Sequence, residues 1–218
     1  MVNAARTFVF DAVGTLIRPL DSISETYRMA AKTWGLALPR SEVRDRFKAH
    51  RNHLFNNSPI QPSSNELEKQ CWRELVADVF YELPDTAGLF QQLWEHYAQP
   101  QHWILFADVE ACLRSCEQLG HTIIIASNFD NRLIPICKQL LPGIKSEQIY
   151  CSGDLGFRKP DLRFYQEIER QRGNLLSRPL MIGDDLEKDV LAAQKAGWEA
   201  VHLNRKAHSL TDVMSRVL

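Results

Sequence analysis

The sequence predicts a doubly wound, parallel-sheet α/β core, interrupted after its first strand by an all-helical segment. Three observations carry this expectation. The chain opens on a short β-forming run, Arg6-Thr-Phe-Val-Phe-Asp11, followed at once by Gly14. From about residue 20 to residue 98 the pattern is helical and contains no convincing strand. After Pro100, apolar runs alternate with amphipathic stretches, and regular β/α alternation implies a parallel sheet wrapped by helices on both faces. The expected division is a core of residues 1–17 and 99–218 with a helical insertion at 18–98.

The elements follow in order. Residues 6–11 read as a buried strand ending in a turn. Ser22-x-x-Glu25 is a capping-box signature for the first helix, and Gly35 is a plausible stop. Between Pro39 and Asn56, apolar Val43, Phe47 and Leu54 recur with a helical period. Pro59, Pro62, Ser63 and Ser64 form a loop, Ser63-x-x-Glu66 opens a third helix, and Pro84-Asp85 opens a fourth. Thr122–Ile125, Gln148–Ser152, Leu180–Gly183 and Glu199–Leu203 are the remaining strands. Helices fill Val109–Leu119, Arg132–Leu141, Leu162–Arg172 and Lys188–Ala196. No internal repeat interrupts this order.

Composition narrows the classes of function. The chain has 218 residues, 44% of them hydrophobic and 24% charged, which excludes a disordered or fibrous chain. The net charge is -1, and neither the insertion nor the core has the excess of Lys and Arg expected of a general nucleic-acid binder. No apolar run approaches the ~18 residues of a membrane span, and Met1–Arg6 lack a secretory pattern. The five cysteines are odd in number and include no Cys-x-x-Cys pair, which suits reduced thiols in a cytoplasmic protein.

Ligands of open α/β sheets bind beyond the carboxyl ends of the strands. Four such places carry polar groups: Asp11; Ser127-Asn128; Lys159-Pro160-Asp161; and Gly183-Asp184-Asp185 with Asp189. Each has a plain structural alternative. Asp11 could cap a turn, Ser127 and Asn128 are common loop residues, Lys159 could be solvated, and Asp184 or Asp185 could cap the following helix. Together they converge on one sheet edge. Carboxylates gathered there repel one another unless they share a cation, and hard oxygen ligands suit Mg²⁺.

The segments Asp11-Ala-Val-Gly-Thr-Leu16, Ser127-Asn128, Lys159-Pro160-Asp161 and Gly183-Asp184-Asp185-x-x-x-Asp189 resemble the four ordered motifs of the haloacid dehalogenase (HAD) superfamily. The insertion lies where the helical-cap branch carries its cap, and within that branch the chain resembles the REG-2-like group. The resemblance implies a Rossmann-like core and an aspartyl-phosphate formed at Asp11. It implies Mg²⁺ held by Asp11, the backbone carbonyl of Val13 and Asp184. Ser127 and Asn128 would bind a phosphoryl oxygen. Lys159 would neutralise the nucleophile and the phosphate. Asp185 or Asp189 would orient metal-bound water or Lys159, with Thr15 in support. The expected activity is a Mg²⁺-dependent phosphatase acting on a small phosphorylated metabolite, with no nucleic-acid or membrane partner.

One position departs from the family's phosphatases, which carry a second aspartate two residues after the first. Here that position is Val13. Valine cannot exchange a proton, and losing a general acid/base costs about 10²–10⁴ in rate. Two rival readings follow: a metal-independent 2-haloacid dehalogenase, to whose Tyr position Tyr165 corresponds, and a non-catalytic binder of a phospholigand or protein partner. A phosphonoacetaldehyde hydrolase would need a cap lysine; Lys32 and Lys48 are available without supporting context.

In the insertion, Arg40, Arg44, Arg51 and Phe55 fall at helical spacing, with Lys48 on the same side. The stripe could grip an anionic substrate, or be a solvated face paired with Glu66, Glu74 and Asp78. His50 and His53 are one turn apart but lack a third ligand. Trp34, Trp72 and Trp94 are expected in the core of the insertion. Trp103, Phe129 and Trp198 are expected in the core or hinge, with Phe129 near substrate.

Overall fold

The computed structural model describes residues 5–56, 62–173, 177 and 179–218; Pro59 of the expected loop lies outside them. A five-stranded parallel sheet has the order β5-β4-β1-β6-β7. Its strands are β1 (Thr7–Phe10), β4 (Thr122–Ser127), β5 (Ile149–Cys151), β6 (Leu180–Gly183) and β7 (Glu199–His202). Central β1 pairs with β4 through Phe8↔Ile123 and with β6 through Phe8↔Leu180. Because side chains alternate across a strand, Phe8, Phe10, Ile123, Ile125 and Ile182 enter one buried layer. Val9, Ile124 and Met181 enter the opposite layer with Phe164, Tyr165 and Ile168. Both faces are therefore covered, which accounts for strands that read as continuous apolar runs.

The helices against the sheet are α5 (Val109–Gln118), α6 (Leu133–Leu140), α7 (Ser152–Leu155), α8 (Leu162–Arg172), α9 (Ala192–Lys195) and α10 (Leu210–Met214). A wide, π-type turn over Leu186–Leu191 replaces the first half of the helix expected from Lys188 onward. The short α7 and α10 were not expected. Neither was an antiparallel ribbon of β2 (Ile17–Pro19) and β3 (Trp103–Leu105), through which the chain leaves the sheet and returns. Three residues are too few to show a period of two.

Between the ribbon strands lie α1 (Ile23–Thr33), α2 (Arg40–Asn56), α3 (Asn65–Val79) and α4 (Ala87–Ala98). They bury their own cluster, centred on Tyr27, Val43, Leu75, Val79, Phe80 and Leu89. Ser22 caps α1 by accepting from the Glu25 N–H at 3.3 Å. For α3 the cap is Ser64, not Ser63: its hydroxyl accepts from Leu67 N–H at 3.1 Å. Ser63 instead donates to buried Glu68 at 2.9 Å. Ser152 of the core donates to the same Glu68 oxygen at 2.9 Å, so a buried carboxylate ties the insertion to the sheet. Trp34 does not enter the core; it is 46% exposed and donates to Gln92 at 2.9 Å. Trp72 and Trp94 pack against the insertion's cluster, while Trp103 and Trp198 are buried.

Fully buried Ile124 on a central strand and exposed Leu119 test this layering. Ile124→Ala is expected to cost about 2–5 kcal/mol in urea unfolding, whereas Leu119→Ala should stay within about 0.5 kcal/mol.

Candidate active site

The carboxyl ends of β1, β4 and β6 place Asp11, Ser127 and Asp184 around one opening. Three neighbouring parallel strands that end together make such a crevice. The Asp11 N–H donates to Ile182 O at 2.9 Å, which fixes the acid at the end of the sheet. The next residues turn sharply. Gly14 has φ +97°, and a Cβ there would overlap the Asp184 carboxyl. Gly183 is equally confined, since a Cβ would overlap Asp189. Glycine is required at both points for carboxylates to approach the backbone.

Lys159 is the electrostatic centre. Its ammonium is buried and donates to Asp11 Oδ1 at 2.8 Å, Asp189 Oδ1 at 2.6 Å and Ala126 O at 2.9 Å. Burial disfavours the charged form, but Asp11 and Asp189 outweigh it and hold the ammonium's pKa above the usual lysine range. The Ser127 hydroxyl also donates to Asp11 Oδ1, at 3.0 Å. Two donors on one oxygen make the two oxygens of Asp11 electrostatically unequal. The Asn128 amide is engaged twice with the Lys159 backbone, donating to its O and accepting from its N–H, each at 2.7 Å. Its side chain thus shapes the lysine loop, which has a cis Lys159–Pro160 bond, and it also lines the cleft over the site.

The two remaining acids of the fourth segment separate. Asp189 accepts from Lys159 and from the Asp185 N–H at 3.0 Å. Asp185 caps the following turn, accepting from Glu187 and Lys188 N–H groups at 3.1 and 3.0 Å. The Thr15 hydroxyl donates to Asp184 Oδ1 at 3.3 Å. Asp184 lies at the exposed rim, yet partial withdrawal from water and nearby Asp189 raise its carboxyl pKa. Burial raises that of Asp189 against the opposing pull of Lys159.

Asp11, Asp184 and Asp189 each offer an oxygen within 4.8 Å of the others, and they are the only such cluster among the described residues. One lysine leaves three carboxylates under-compensated. Hard oxygen ligands, brought together by two glycines that let Asp184 and Asp189 lie against the backbone, fit a hard divalent cation. His50 has another partner, Asp78 at 3.3 Å.

An open cleft of about 450 Å³ lies over these groups. Arg51, Phe55, Glu68 and Trp72 of the insertion reach it, as do Arg158 and His202 of the core. The α2 stripe therefore divides. Arg40 donates to Ser22 at 2.9 Å and Arg44 to Asp45 at 2.9 Å, while Arg51 and Phe55 line the cleft. Next to the cleft is a second cavity of about 320 Å³, with Phe129 in its wall. Several contributors had no local signal. Arg205 grips Asp108 at 2.7 and 2.9 Å and donates to Thr15 O at 3.2 Å, bracing the loop after β1. His202 Nε2 lies 3.0 Å from Asp184 O. Arg158 stacks over Phe55 at 4.8 Å.

The model of the haloacid dehalogenase-like hydrolases matches residues 5–197. The chain belongs to this family. It is therefore a hydrolase of the HAD type. A zebrafish (Danio rerio) haloacid dehalogenase-like hydrolase domain-containing protein 3 is 28% identical over 207 residues, covering 92% of this chain and 86% of the relative. A HAD-hydrolase of Bacillus subtilis, YfnB, solved bound to magnesium, superposes with TM-score 0.69 at 21% identity over 94% of this chain and 91% of its own. A dehalogenase solved with an intermediate complex gives TM-score 0.66 at 19% identity, covering 96% and 89%. At these identities the solved structures show a shared fold.

The lysine contact has a signed pH consequence. A pKa raised in the folded state contributes stability that is complete below the unfolded lysine value, about 10.4, and is lost as pH rises above it. Urea midpoints of wild type should therefore fall above that pH more steeply than those of Lys159→Met. Parallel alkaline curves would contradict the assignment.

Proposed function

We propose that this hydrolase is a Mg²⁺-dependent phosphatase of a small phosphorylated metabolite, and that residues 18–98 act as its cap. One observation carries the proposal: Asp11 shares a site with Lys159 and with two further carboxylates within 4.8 Å. A nucleophilic carboxylate facing an anionic phosphate needs positive charge, and phosphoryl transfer depends mainly on positioning and charge compensation.

Asp11 is the nucleophile toward phosphorus. Lys159 fixes its orientation and offsets its charge. Asp189 in turn holds Lys159, a role left open between it and Asp185 by sequence. Ser127 can exchange its bond to Asp11 for one to a phosphoryl oxygen. Asp11, the Val13 carbonyl and Asp184 would hold Mg²⁺, with Thr15 steadying Asp184; bound there, the ion would supply charge neutralisation for phosphoryl transfer. The magnesium named for the similar YfnB structure supports the choice of ion. Val13 supplies no proton, so turnover is slow.

The dehalogenase reading is disfavoured on two counts. Asp184 and Asp189 beside Asp11 would repel a carboxylate substrate unless a cation were present. Tyr165 is fully buried and spends its hydroxyl on Lys188 O.

With Mg²⁺, wild type should release phosphate from a panel of small phosphate esters, and Asp11→Asn should fall to background. Val13→Asp should raise turnover about 10²–10⁴-fold. Equal release by wild type and Asp11→Asn would defeat the phosphatase reading; a gain confined to Val13→Asp would favour a non-catalytic binder.

A further inference from the structure

The cavity beside the cleft has a distinct chemistry. Tyr27, Phe47, Phe90, Trp94, Trp103 and Phe129 supply ring surface from five separate segments of the chain. Trp103 and Arg132 in the wall are already committed to other partners. Trp103 Nε1 donates to Tyr97 O at 3.1 Å. Arg132 is held by Asp130 at 2.7 Å, donates to Trp94 O at 3.0 Å and lies 3.2 Å from the Trp94 ring centre. About 320 Å³ is at the small end of ligand pockets and suits one ring or two fused rings. This cavity and the acidic cleft share four wall residues, Val13, Arg51, Trp72 and Asn128.

We infer that the substrate is an aryl phosphate monoester, whose phosphoryl group lies at Asp11 and whose ring enters this cavity. The inference rests on the phosphatase reading and names its substrate class. Val13 stands at the junction. A carboxylate there would set a charge at the mouth of an apolar pocket; valine continues the apolar wall. The same substitution is chemically tolerable for this class. A phenolic oxygen has a pKa near 10, against roughly 16 for a water-like hydroxyl, so an aryloxide departs without a proton donor.

In the first step a carboxylate oxygen of Asp11 bonds to phosphorus, and the bond from phosphorus to the aryl oxygen breaks with its electron pair on the aryloxide. The aryloxide then takes a proton from solvent. In the second, water bonds to phosphorus and the acyl–phosphate bond returns its electrons to Asp11. Both protons of the water leave with the phosphate, one passing to buffer. Val13 gives no assistance in this second step, so the phosphoenzyme accumulates.

The probes are phenylphosphonate and methylphosphonate, which cannot turn over, binding to the full chain with Mg²⁺ and read by tryptophan fluorescence. Phenylphosphonate should bind about tenfold or more tightly, the gain expected from burying a phenyl-sized group. Ile23→Trp, which adds volume at a partly buried wall position, should reduce that ratio toward one; Leu93→Phe serves if the larger side chain prevents folding. Phenyl phosphate should release one equivalent of phenol per enzyme in a burst ahead of slow phosphate release. Equal affinities in wild type, or a ratio untouched by filling the cavity, would overturn the inference. Preferential phenylphosphonate binding with phosphate release no greater than that of Asp11→Asn would uphold the pocket and defeat the phosphatase reading.

Discussion

A single ammonium group organises the carboxyl edge of the sheet. Lys159 is buried, and its three bonds reach β1 through Asp11, the end of β4 through Ala126, and the turn after β6 through Asp189. A buried cation is costly unless paired and hydrogen-bonded, so the surrounding chain is built to pair it. Asn128 fixes the lysine's backbone from the neighbouring loop. Gly183 lets Asp189 lie against the strand end. Even so, one positive charge faces Asp11, Asp184 and Asp189 together, and this imbalance is the physical basis for assigning a cation to the site.

The site's second constraint is the contrast between its two cavities. One is lined by carboxylates and cations, the other by rings, and Val13 belongs to both walls. Under the proposed phosphatase reading, valine at this position supplies no proton relay. Beside an aromatic pocket it is also a matched surface. The insertion builds most of that pocket from its own buried cluster, while Glu68 anchors it to the core through Ser152.

Much of this was legible in the sequence because the signals are local. The apolar runs of β1, β4 and β6 end in the polar residues that meet at the site, and Gly14 sits where the chain must turn. What escaped depends on distant partners or on very short elements. Arg205 meets Asp108 and Thr15, 97 and 190 positions away, and no period encodes that. The β2–β3 ribbon has three residues per strand. Trp34 looks like a core residue by type, yet it packs over Gly88 at the surface, where a Cβ would overlap its ring. The division of labour between Asp185 and Asp189 rests on which of them meets the distant Lys159 and which caps the following turn, and the residue order does not show that.

The most direct test of the central claim is a crystal grown with Mn²⁺ in place of Mg²⁺ and examined by anomalous scattering. The account predicts one strong peak bridging the carboxylates of Asp11 and Asp184, with the Lys159 ammonium still on Asp11. No peak there, or an ion held by surface acids while Asp11 and Asp184 stand apart, would contradict it.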